Sequence, residues 1–273
     1  MAIKLIALDL DGTTLTDIKR ISLVNKAALE EAMGRGVNVV IATGRTFSAL
    51  PDDVFDLKGI HYVITSNGAV ITDLQMKKPI YENYIHPEAV EETVSILRKW
   101  PFMIETFVDG YAYIEEAIYE DMKKTRKSYR HVDYVLNTRR PLKGLYDFIL
   151  ENKSVIENIN VNFKDQKDKA MMKGLLGNIP HTTVTSSFDH NLEIGGATTS
   201  KADALSHLGE ILKVTHKEMM AVGDSPNDIA MMEMAGLPVA VLNAKDEVKK
   251  IAAFVTTSNE EDGVAVAVNK FVL

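Results

Sequence analysis

The sequence predicts an α/β protein in which a doubly wound, mostly parallel sheet is interrupted by an inserted α+β domain. Two observations lead to this prediction. Near both ends of the chain, short apolar runs alternate with segments that repeat apolar residues at helical spacing, which is typical of βαβ units. In the middle of the chain, hairpin signals are mixed with helical patterns, which indicates an α+β arrangement.

The first part of the chain contains three predicted strands. The apolar run 3–8 reads as a buried strand, and the segment 22–35 repeats apolar residues at four-residue spacing and ends before Gly36, as a helix does. The runs 37–42 and 61–65 predict the next two strands. Because strand and helix alternate at short spacing, we expect right-handed βαβ units and a parallel sheet.

The middle of the chain has a different pattern. Asp109-Gly110 can supply a type I′ turn between two extended segments, so 103–114 predicts a β-hairpin. Other segments predict helices at 87–100, 119–129 and 141–150, and strands at 159–163, 182–186 and 192–194.

The βα pattern returns after Gly196. Ser200 is a candidate N-cap for a helix at 201–212, and a buried strand is expected at 219–222. Further segments predict a helix ending at 235, strands around 239–241 and 254–255, and a C-terminal helix. We therefore expect a core domain of residues 1–82 and 190–273, and an inserted domain of residues 83–189.

Composition excludes several classes of function. The 273 residues are 46% hydrophobic and 25% charged, as in a globular protein. Without cysteine there are no disulfide bonds, thiolate metal sites or thiol nucleophiles, and a reducing compartment is expected. The net charge of −7 disfavours nucleic-acid binding, because a phosphate backbone requires a basic surface. No signal peptide or membrane-spanning run is visible, so we expect a cytoplasmic protein without a membrane partner; the oligomeric state is not indicated.

The most informative stretch is Asp9-Leu10-Asp11-Gly12-Thr13, which follows the first predicted strand. Carboxylates at the end of a buried strand are costly unless a cation lies beside them. A solvated Asp-rich turn is the simplest alternative explanation. An EF-hand is excluded, since its loop needs glycine at the sixth position and here glycine is fourth.

Two more polar clusters follow predicted strands, Thr43-Gly44 and Asp224-Ser225-Pro226-Asn227-Asp228. In a doubly wound sheet the carboxyl ends of neighbouring parallel strands share one edge, so all three clusters are expected to converge there. Converging carboxylates need a hard divalent cation, and Mg²⁺ fits because it binds through one or two carboxylates, water and substrate phosphate. One aspartate could then attack phosphorus while the other transfers protons.

The order of these motifs resembles that of the haloacid dehalogenase-like (HAD) phosphatases over nearly the whole chain. The insert between Thr43 and Lys201 resembles the cap of the Cof-like, class IIB members, and Ser66-Asn67-Gly68-Ala69 also matches that group. The resemblance implies a HAD-like Rossmannoid core with an α+β cap. It further implies a Mg²⁺-dependent phosphatase that acts on small phosphorylated metabolites, with sugar phosphates as the first expectation.

The resemblance also implies a role for each matching residue. Asp9 would be the nucleophile and Asp11 the general acid/base. The implied metal ligands are Asp9, Asp224 and, through its backbone carbonyl, Asp11. The implied phosphate-binding residues are Leu10, Thr43, Gly44, Lys201 and Asn227, with Asp228 as a supporting carboxylate.

Two other functions are compatible with these motifs. A phosphomutase would form the same aspartyl-phosphate and return the phosphoryl group, so it would yield an isomeric phosphate instead of free phosphate. A non-catalytic phosphometabolite-binding protein would keep the fold, but such a protein usually lacks part of the catalytic set, which is complete here.

Two basic features have open roles. Arg45 could assist phosphate binding or pair with a carboxylate. The basic run 123–127, together with Arg130, could be a solvated helix face or could recruit anionic substrates.

Overall fold

The computed structural model describes residues 2–127 and 132–273, which form fourteen strands and eleven α-helices. The end of the predicted helix 119–129 and Arg130 lie outside the described residues. The strands are β1 (Leu5–Leu8), β2 (Asn38–Ala42), β3 (Tyr62–Thr65), β4 (Val70–Asp73), β5 (Lys78–Glu82), β6 (Met103–Val108), β7 (Tyr111–Glu115), β8 (Arg139–Leu142), β9 (Ile156–Asn162), β10 (Thr183–Thr185), β11 (Asn191–Gly195), β12 (Met219–Gly223), β13 (Leu237–Ala240) and β14 (Phe254–Val255). The helices are α1 (Leu23–Gly34), α2 (Asp52–Phe55), α3 (Pro87–Leu97), α4 (Glu116–Thr125), α5 (Val132–Thr138), α6 (Leu145–Glu151), α7 (Gln166–Leu176), α8 (Lys201–Leu212), α9 (Ile229–Met234), α10 (Asp246–Ile251) and α11 (Gly263–Phe271).

The chain divides into two compact units, each with its own sheet. Unit 1 contains Met1–Gly44, Leu50–Glu82 and Ser200–Leu273, and unit 2 contains Arg45–Ala49 and Asn83–Thr199. After unit 2 the chain returns to unit 1 between residues 199 and 200, ten residues later than the expected 189/190. The difference arises because β11 pairs with β9 of unit 2. The domain limits drawn from the sequence stay a prediction. Across the described residues, no helix combines the length and the apolar character needed to cross a membrane.

Unit 1 contains an eight-stranded sheet with the order β14-β13-β12-β1-β2-β3-β4-β5. All neighbouring strands from β14 to β3 are parallel, and only β4 and β5 are antiparallel to their neighbours. The predicted mostly parallel sheet is therefore confirmed. Leu8, the last residue of β1, is in register with Val222 of β12 and Ile41 of β2, so the carboxyl ends of these strands share one edge.

Strand β1 lies at the centre of this sheet because all four of its residues are apolar. Each side chain of Leu5–Leu8 is fully buried, as expected for a parallel strand covered on both faces. Helix α1 begins at the N-cap Ser22, whose hydroxyl accepts a hydrogen bond from the Asn25 amide. The buried Asn25 side chain in turn accepts from the Ala265 amide at 2.8 Å, which joins α1 to α11.

Unit 2 contains a six-stranded sheet with the order β10-β11-β9-β6-β7-β8. The β6–β7 hairpin is confirmed: it closes at Asp109 and Gly110, which have φ of 51° and 72°, the positive values that a type I′ turn requires. One face of the sheet packs against α3, α6 and α7 in an apolar core that includes Val90, Ile159 and Met172.

The segment before α6 differs from the sequence-based expectation. A helix was expected at 141–150, but Arg139–Leu142 forms the edge strand β8, parallel to β7, and the helix is Leu145–Glu151. Proline lacks an N–H and tolerates an edge strand, so Pro141 fits β8. Helix α5 (Val132–Thr138) was not expected from the sequence. Local patterns missed both elements because tertiary packing determines them.

A buried ion pair lies on β6 and β8. Arg139 Nη2 donates to Glu105 Oε2 at 2.8 Å, and the two side chains are 2% and 0% exposed. The Arg139 guanidinium also lies 4.8 Å from the centre of the Tyr134 ring. Burial alone would lower the pKa of Arg139, but the neighbouring Glu105 carboxylate and Tyr134 raise it above its ordinary value. The guanidinium therefore stays charged beside the Glu105 carboxylate.

Arg139→Met should destabilise unit 2, because it removes the buried guanidinium that pairs with the buried Glu105 carboxylate. The expected loss in free energy of unfolding is about 3–5 kcal/mol. Urea denaturation followed by fluorescence measures it, since the single tryptophan, Trp100, lies in unit 2.

The matched control is Lys143→Met, which removes an exposed cation 3.4 Å from Glu116 and should leave the midpoint unchanged. Equal midpoints for the wild type and Arg139→Met would show that the buried pair is not needed.

Candidate active site

The first part of the site is the turn that follows β1. The Thr14 hydroxyl donates to the Asp9 carbonyl at 2.6 Å, and the Leu10 carbonyl accepts from the amides of Thr14 and Leu15. Gly12 has φ 81°, and a Cβ there would lie 2.9 Å from Asp224 Oδ2. Glycine therefore permits the turn to approach the end of β12.

A buried lysine connects two of the aspartates. Lys201 Nζ donates to Asp9 Oδ1 in a short hydrogen bond and to Asp228 Oδ1 at 2.7 Å. All three side chains are at most 8% exposed. Lys201 is the first residue of α8, and the Ser200 hydroxyl caps this helix by accepting from the Asp203 amide. The confirmed helix start thus places the ammonium group between two carboxylates.

The turn after β12 supplies two of the carboxylates, Asp224 and Asp228. Asp228 Oδ2 accepts from the backbone amides of Asp224 and Ser225, each at 3.0 Å, so Asp228 holds the turn in shape. The Asp224 carboxylate accepts from the hydroxyls of Thr13 at 2.9 Å and Ser225 at 2.8 Å. These bonds join the turn after β1 to the turn after β12.

The electrostatics of this cluster are unbalanced, because one ammonium group faces three carboxylates. Burial raises the pKa of Asp9 well above its ordinary value; Asp228 raises it further, and Lys201 opposes the shift. Burial and then Asp228 raise the pKa of Asp224. Burial alone would lower the pKa of Lys201, but Asp228 and Asp9 reverse this, so it stays protonated.

A divalent cation would relieve this repulsion. One oxygen from each of Asp9, Asp224 and Asp228 can be chosen so that all lie within 4.8 Å of one another. Carboxylate oxygens are hard ligands of the kind that Mg²⁺ and Ca²⁺ prefer, so the donor set fits a metal site. Asp228 already gives its oxygens to Lys201 and two amides, which favours Asp9 and Asp224 as the metal-binding pair.

Three of the predicted phosphate-binding residues, Thr43, Gly44 and Asn227, lie around a residue to which the sequence assigned no role. The buried Thr43 accepts from the Asn67 amide through its carbonyl at 3.0 Å. Asn227 Nδ2 donates to Asn67 Oδ1 at 3.1 Å, and the Asn67 carboxamide also lies against Gly44. Asn67 thus links the ends of β2 and β12.

Two other predicted residues, Asp11 and Leu10, differ in burial. The Asp11 side chain is partly exposed and accepts from Lys19 Nζ at 3.2 Å. The Leu10 side chain is fully buried. Sequence reasoning assigned no separate role to Thr13, which stands inside the first motif, or to Asn243, whose Nδ2 donates to the Gly12 carbonyl at 2.7 Å.

The two basic features have local partners. Arg45 belongs to unit 2, where Nη1 donates to the Ala49 carbonyl at 3.0 Å and the guanidinium lies 5.0 Å from the Tyr134 ring centre. In the basic run, Lys123 lies 3.8 Å from Glu120 and both side chains are exposed, as on a solvated helix face.

Comparisons with known proteins give the family. Residues 6–268 match the model of the haloacid dehalogenase-like hydrolases. Phosphatase YwpJ of Bacillus subtilis is 32% identical over 96% of this chain and 97% of its own length. A second B. subtilis relative, 5-amino-6-(5-phospho-D-ribitylamino)uracil phosphatase YcsE, is 31% identical over 99% of this chain and 96% of its own.

Solved structures agree with this result. A haloacid dehalogenase-like hydrolase from B. subtilis superposes with a TM-score of 0.86 at 29% identity, covering 99% of this chain and 100% of that one. A subclass IIB sugar phosphatase has the same fold, with a TM-score of 0.82 at 24% identity and 98% coverage of both chains. The chain belongs to the haloacid dehalogenase-like hydrolases and is a hydrolase of the phosphatase type.

Stability without metal should fall as pH rises. Because the folded-state pKa values of Asp9 and Asp224 lie above the ordinary value of about 3.9, their stabilising contribution is present at lower pH and lost as pH passes through the raised values. Asp224→Asn removes one of these charges, so its melting temperature in EDTA should fall less over the same pH range.

Added Mg²⁺ should stabilise the wild type more than Asp224→Asn. At 100 times the dissociation constant, Mg²⁺ should stabilise the wild type by about 2.7 kcal/mol, and Asp224→Asn should show little of this gain. The control Asp121→Asn, on the exposed face of α4, should behave as the wild type. An equal gain from Mg²⁺ in Asp224→Asn would exclude Asp224 as a ligand.

Proposed function

We propose that this protein is a Mg²⁺-dependent phosphatase that hydrolyses small phosphorylated metabolites, sugar phosphates in particular, through an aspartyl-phosphate on Asp9. The observation that carries the proposal is the buried contact of Lys201 with Asp9 and Asp228, beside Asp224, at the carboxyl edge of the parallel strands. A buried nucleophilic carboxylate next to a fixed cation suits attack on a phosphate, which brings its own negative charge.

Asp9 and Asp224 would hold the Mg²⁺, with the Asp11 carbonyl as the third protein ligand implied by the family motif. A bound Mg²⁺ would supply charge neutralisation and alignment of the phosphoryl oxygens. The hydroxyl group of Thr13 and the turn held by Asp228 would keep the Asp224 carboxylate in place. The distance criterion also includes Asp228, but its bonds to Lys201 and to two amides favour a supporting role.

In the first step, a carboxylate oxygen of Asp9 forms a bond to phosphorus while the ester P–O bond breaks. Asp11, two residues away on the same turn, donates a proton to the departing alkoxide. In the second step, water attacks the phosphorus of the aspartyl-phosphate and gives its proton to Asp11, which releases phosphate and restores Asp9. Lys201, Thr43, Asn227 and the amides of Leu10 and Gly44 would stabilise the charge on the phosphoryl oxygens.

The class of substrate is supported by relatives more than 30% identical over nearly the whole chain. Two of them, YcsE and YwtE of B. subtilis, are named as phosphatases of 5-amino-6-(5-phospho-D-ribitylamino)uracil, a small molecule with a phosphorylated ribityl group. We infer a small, hydroxyl-bearing substrate from this similarity. We further propose a cytoplasmic enzyme with the core 1–82 and 190–273 and the cap 83–189.

A phosphate-release assay tests the proposal across sugar phosphates, sugar-alcohol phosphates and nucleotides, each with Mg²⁺ and with EDTA. We expect Mg²⁺-dependent release of free phosphate from some of the sugar or sugar-alcohol phosphates. Formation of an isomeric phosphate without free phosphate would identify a mutase instead. Undiminished turnover in EDTA would contradict the proposed metal dependence, and binding without turnover would indicate a non-catalytic protein.

Asp9→Asn and Asp11→Asn should fail at different steps. Asp9→Asn loses the attacking oxygen, so no covalent intermediate can form. Asp11→Asn keeps that oxygen and loses acid–base assistance, typically worth about 10²–10⁴-fold. An aryl phosphate needs little protonation to leave, so Asp11→Asn should release a burst of phenol and accumulate phosphorylated Asp9.

Rapid mixing with an aryl phosphate, followed by acid quench and mass analysis of the Asp9 peptide, measures this accumulation. Asp17→Asn, an exposed carboxyl on the following loop, is the control and should turn over as the wild type does. A phosphorylated peptide elsewhere, or full activity in Asp9→Asn, would show that the nucleophile is another residue.

A further inference from the structure

The turn Ser66-Asn67-Gly68, which follows β3, has an uncommon backbone. Ser66 and Asn67 have φ of 51° and 57°, and Gly68 has φ of 102°. Non-glycine residues rarely adopt this left-handed region, and such residues persist where the surrounding structure holds them. Ser66 and Asn67 are also almost fully buried, so solvent does not explain the conformation.

This turn contacts three of the four segments that are proposed to bind the phosphoryl group, namely those that carry Thr43 and Gly44, Asn227, and Lys201. The Asn67 amide donates to the Thr43 carbonyl, and the Asn67 side chain accepts from Asn227 Nδ2. A Cβ at Gly68 would lie 2.1 Å from the Ser200 carbonyl oxygen and 3.1 Å from the backbone nitrogen of Lys201. Glycine at position 68 therefore allows the turn to rest directly on the start of α8.

The bond from Asn227 to Asn67 has a specific chemical consequence. Asn67 Oδ1 can only accept, so it holds the nitrogen of the Asn227 carboxamide in one direction. That nitrogen carries two hydrogens, and the second remains for another acceptor such as a phosphoryl oxygen. On the other side, the Asn67 carboxamide packs against Gly44, where a Cβ would lie 3.0 Å from Asn67 Oδ1.

We propose that Asn67 is a positioning residue for the phosphoryl group, acting through Asn227 and Gly44. The inference rests on the proposed function. It assigns to Asn67 no contact with substrate. The left-handed turn presents the carboxamide to the ends of β2 and β12 at once, and so fixes the spacing of their phosphate-binding groups.

The test is Asn67→Gly, because glycine keeps the left-handed backbone while the carboxamide is lost. Lys213→Gly is the matched control, since Lys213 has φ 56° at the end of α8 and is exposed. The KM and kcat of both variants are measured with p-nitrophenyl phosphate and with a hexose phosphate. The dissociation constant of inorganic phosphate is measured by calorimetry in Mg²⁺.

For Asn67→Gly we expect the KM and the phosphate dissociation constant to rise about 10-fold or more, as for loss of a hydrogen bond to a charged group. The rise should be equal for both substrates, because the phosphoryl group is common to them. Asn67→Gly/Asn227→Ala should be little worse than Asn227→Ala. Lys213→Gly should match the wild type.

A lower kcat with unchanged KM and unchanged phosphate affinity would mean only a smaller folded fraction, and would overturn the inference. A rise confined to one substrate would indicate leaving-group selection and would also overturn it. Phosphate binding requires no turnover, so the calorimetric result tests Asn67 even where the substrate assigned above is wrong.

Discussion

The site depends on one buried cation. Lys201 is fully buried, and desolvating an ammonium group costs several kcal/mol unless carboxylates compensate for it. Asp9 and Asp228 provide that compensation from the ends of two adjacent strands, β1 and β12. Lys201 therefore meets both carboxylates only when three features form together: the start of α8, the register of β1 with β12, and the turn held by Asp228. Removal of Lys201 would leave the Asp9 and Asp228 carboxylates buried without the cation that compensates for them.

The same cluster carries more negative charge than the protein alone can balance. Asp224 lies beside Lys201, Asp9 and Asp228, where one ammonium group already faces two carboxylates. Burial raises the pKa of Asp224, so its ionised form is costly in the absence of a ligand. Proteins commonly accept such a cost at a functional site, since binding of a cation to the folded state returns the free energy. The hydroxyls of Thr13 and Ser225 reduce the cost by donating to Asp224.

The parallel sheet and the residues at its edge could be predicted because both depend on local sequence. Apolar runs such as 3–8 mark buried strands, and polar residues that follow such runs must lie at the carboxyl edge. The strand β8 and the pairing of β11 with unit 2 could not be predicted, since they depend on neighbours distant in sequence. For the same reason, the sequence marked Asn67 only as part of a motif and gave no role to its side chain.

The residues that hold the strand ends of the site together are uncharged. A Cβ at position 12 would lie 2.9 Å from Asp224 Oδ2, so glycine allows the turn after β1 to approach Asp224. A Cβ at position 68 would lie 2.1 Å from the Ser200 carbonyl oxygen, so glycine is needed there for the same reason. Hydrogen bonds then fix those approaches, from Thr13 to Asp224 and from Asn227 to Asn67. Since a parallel sheet sets the strand ends only about 4.8 Å apart, small residues and short polar side chains are what can fill the space between them. The positions of the charged groups therefore depend on the neutral residues that pack and hydrogen-bond between the strand ends.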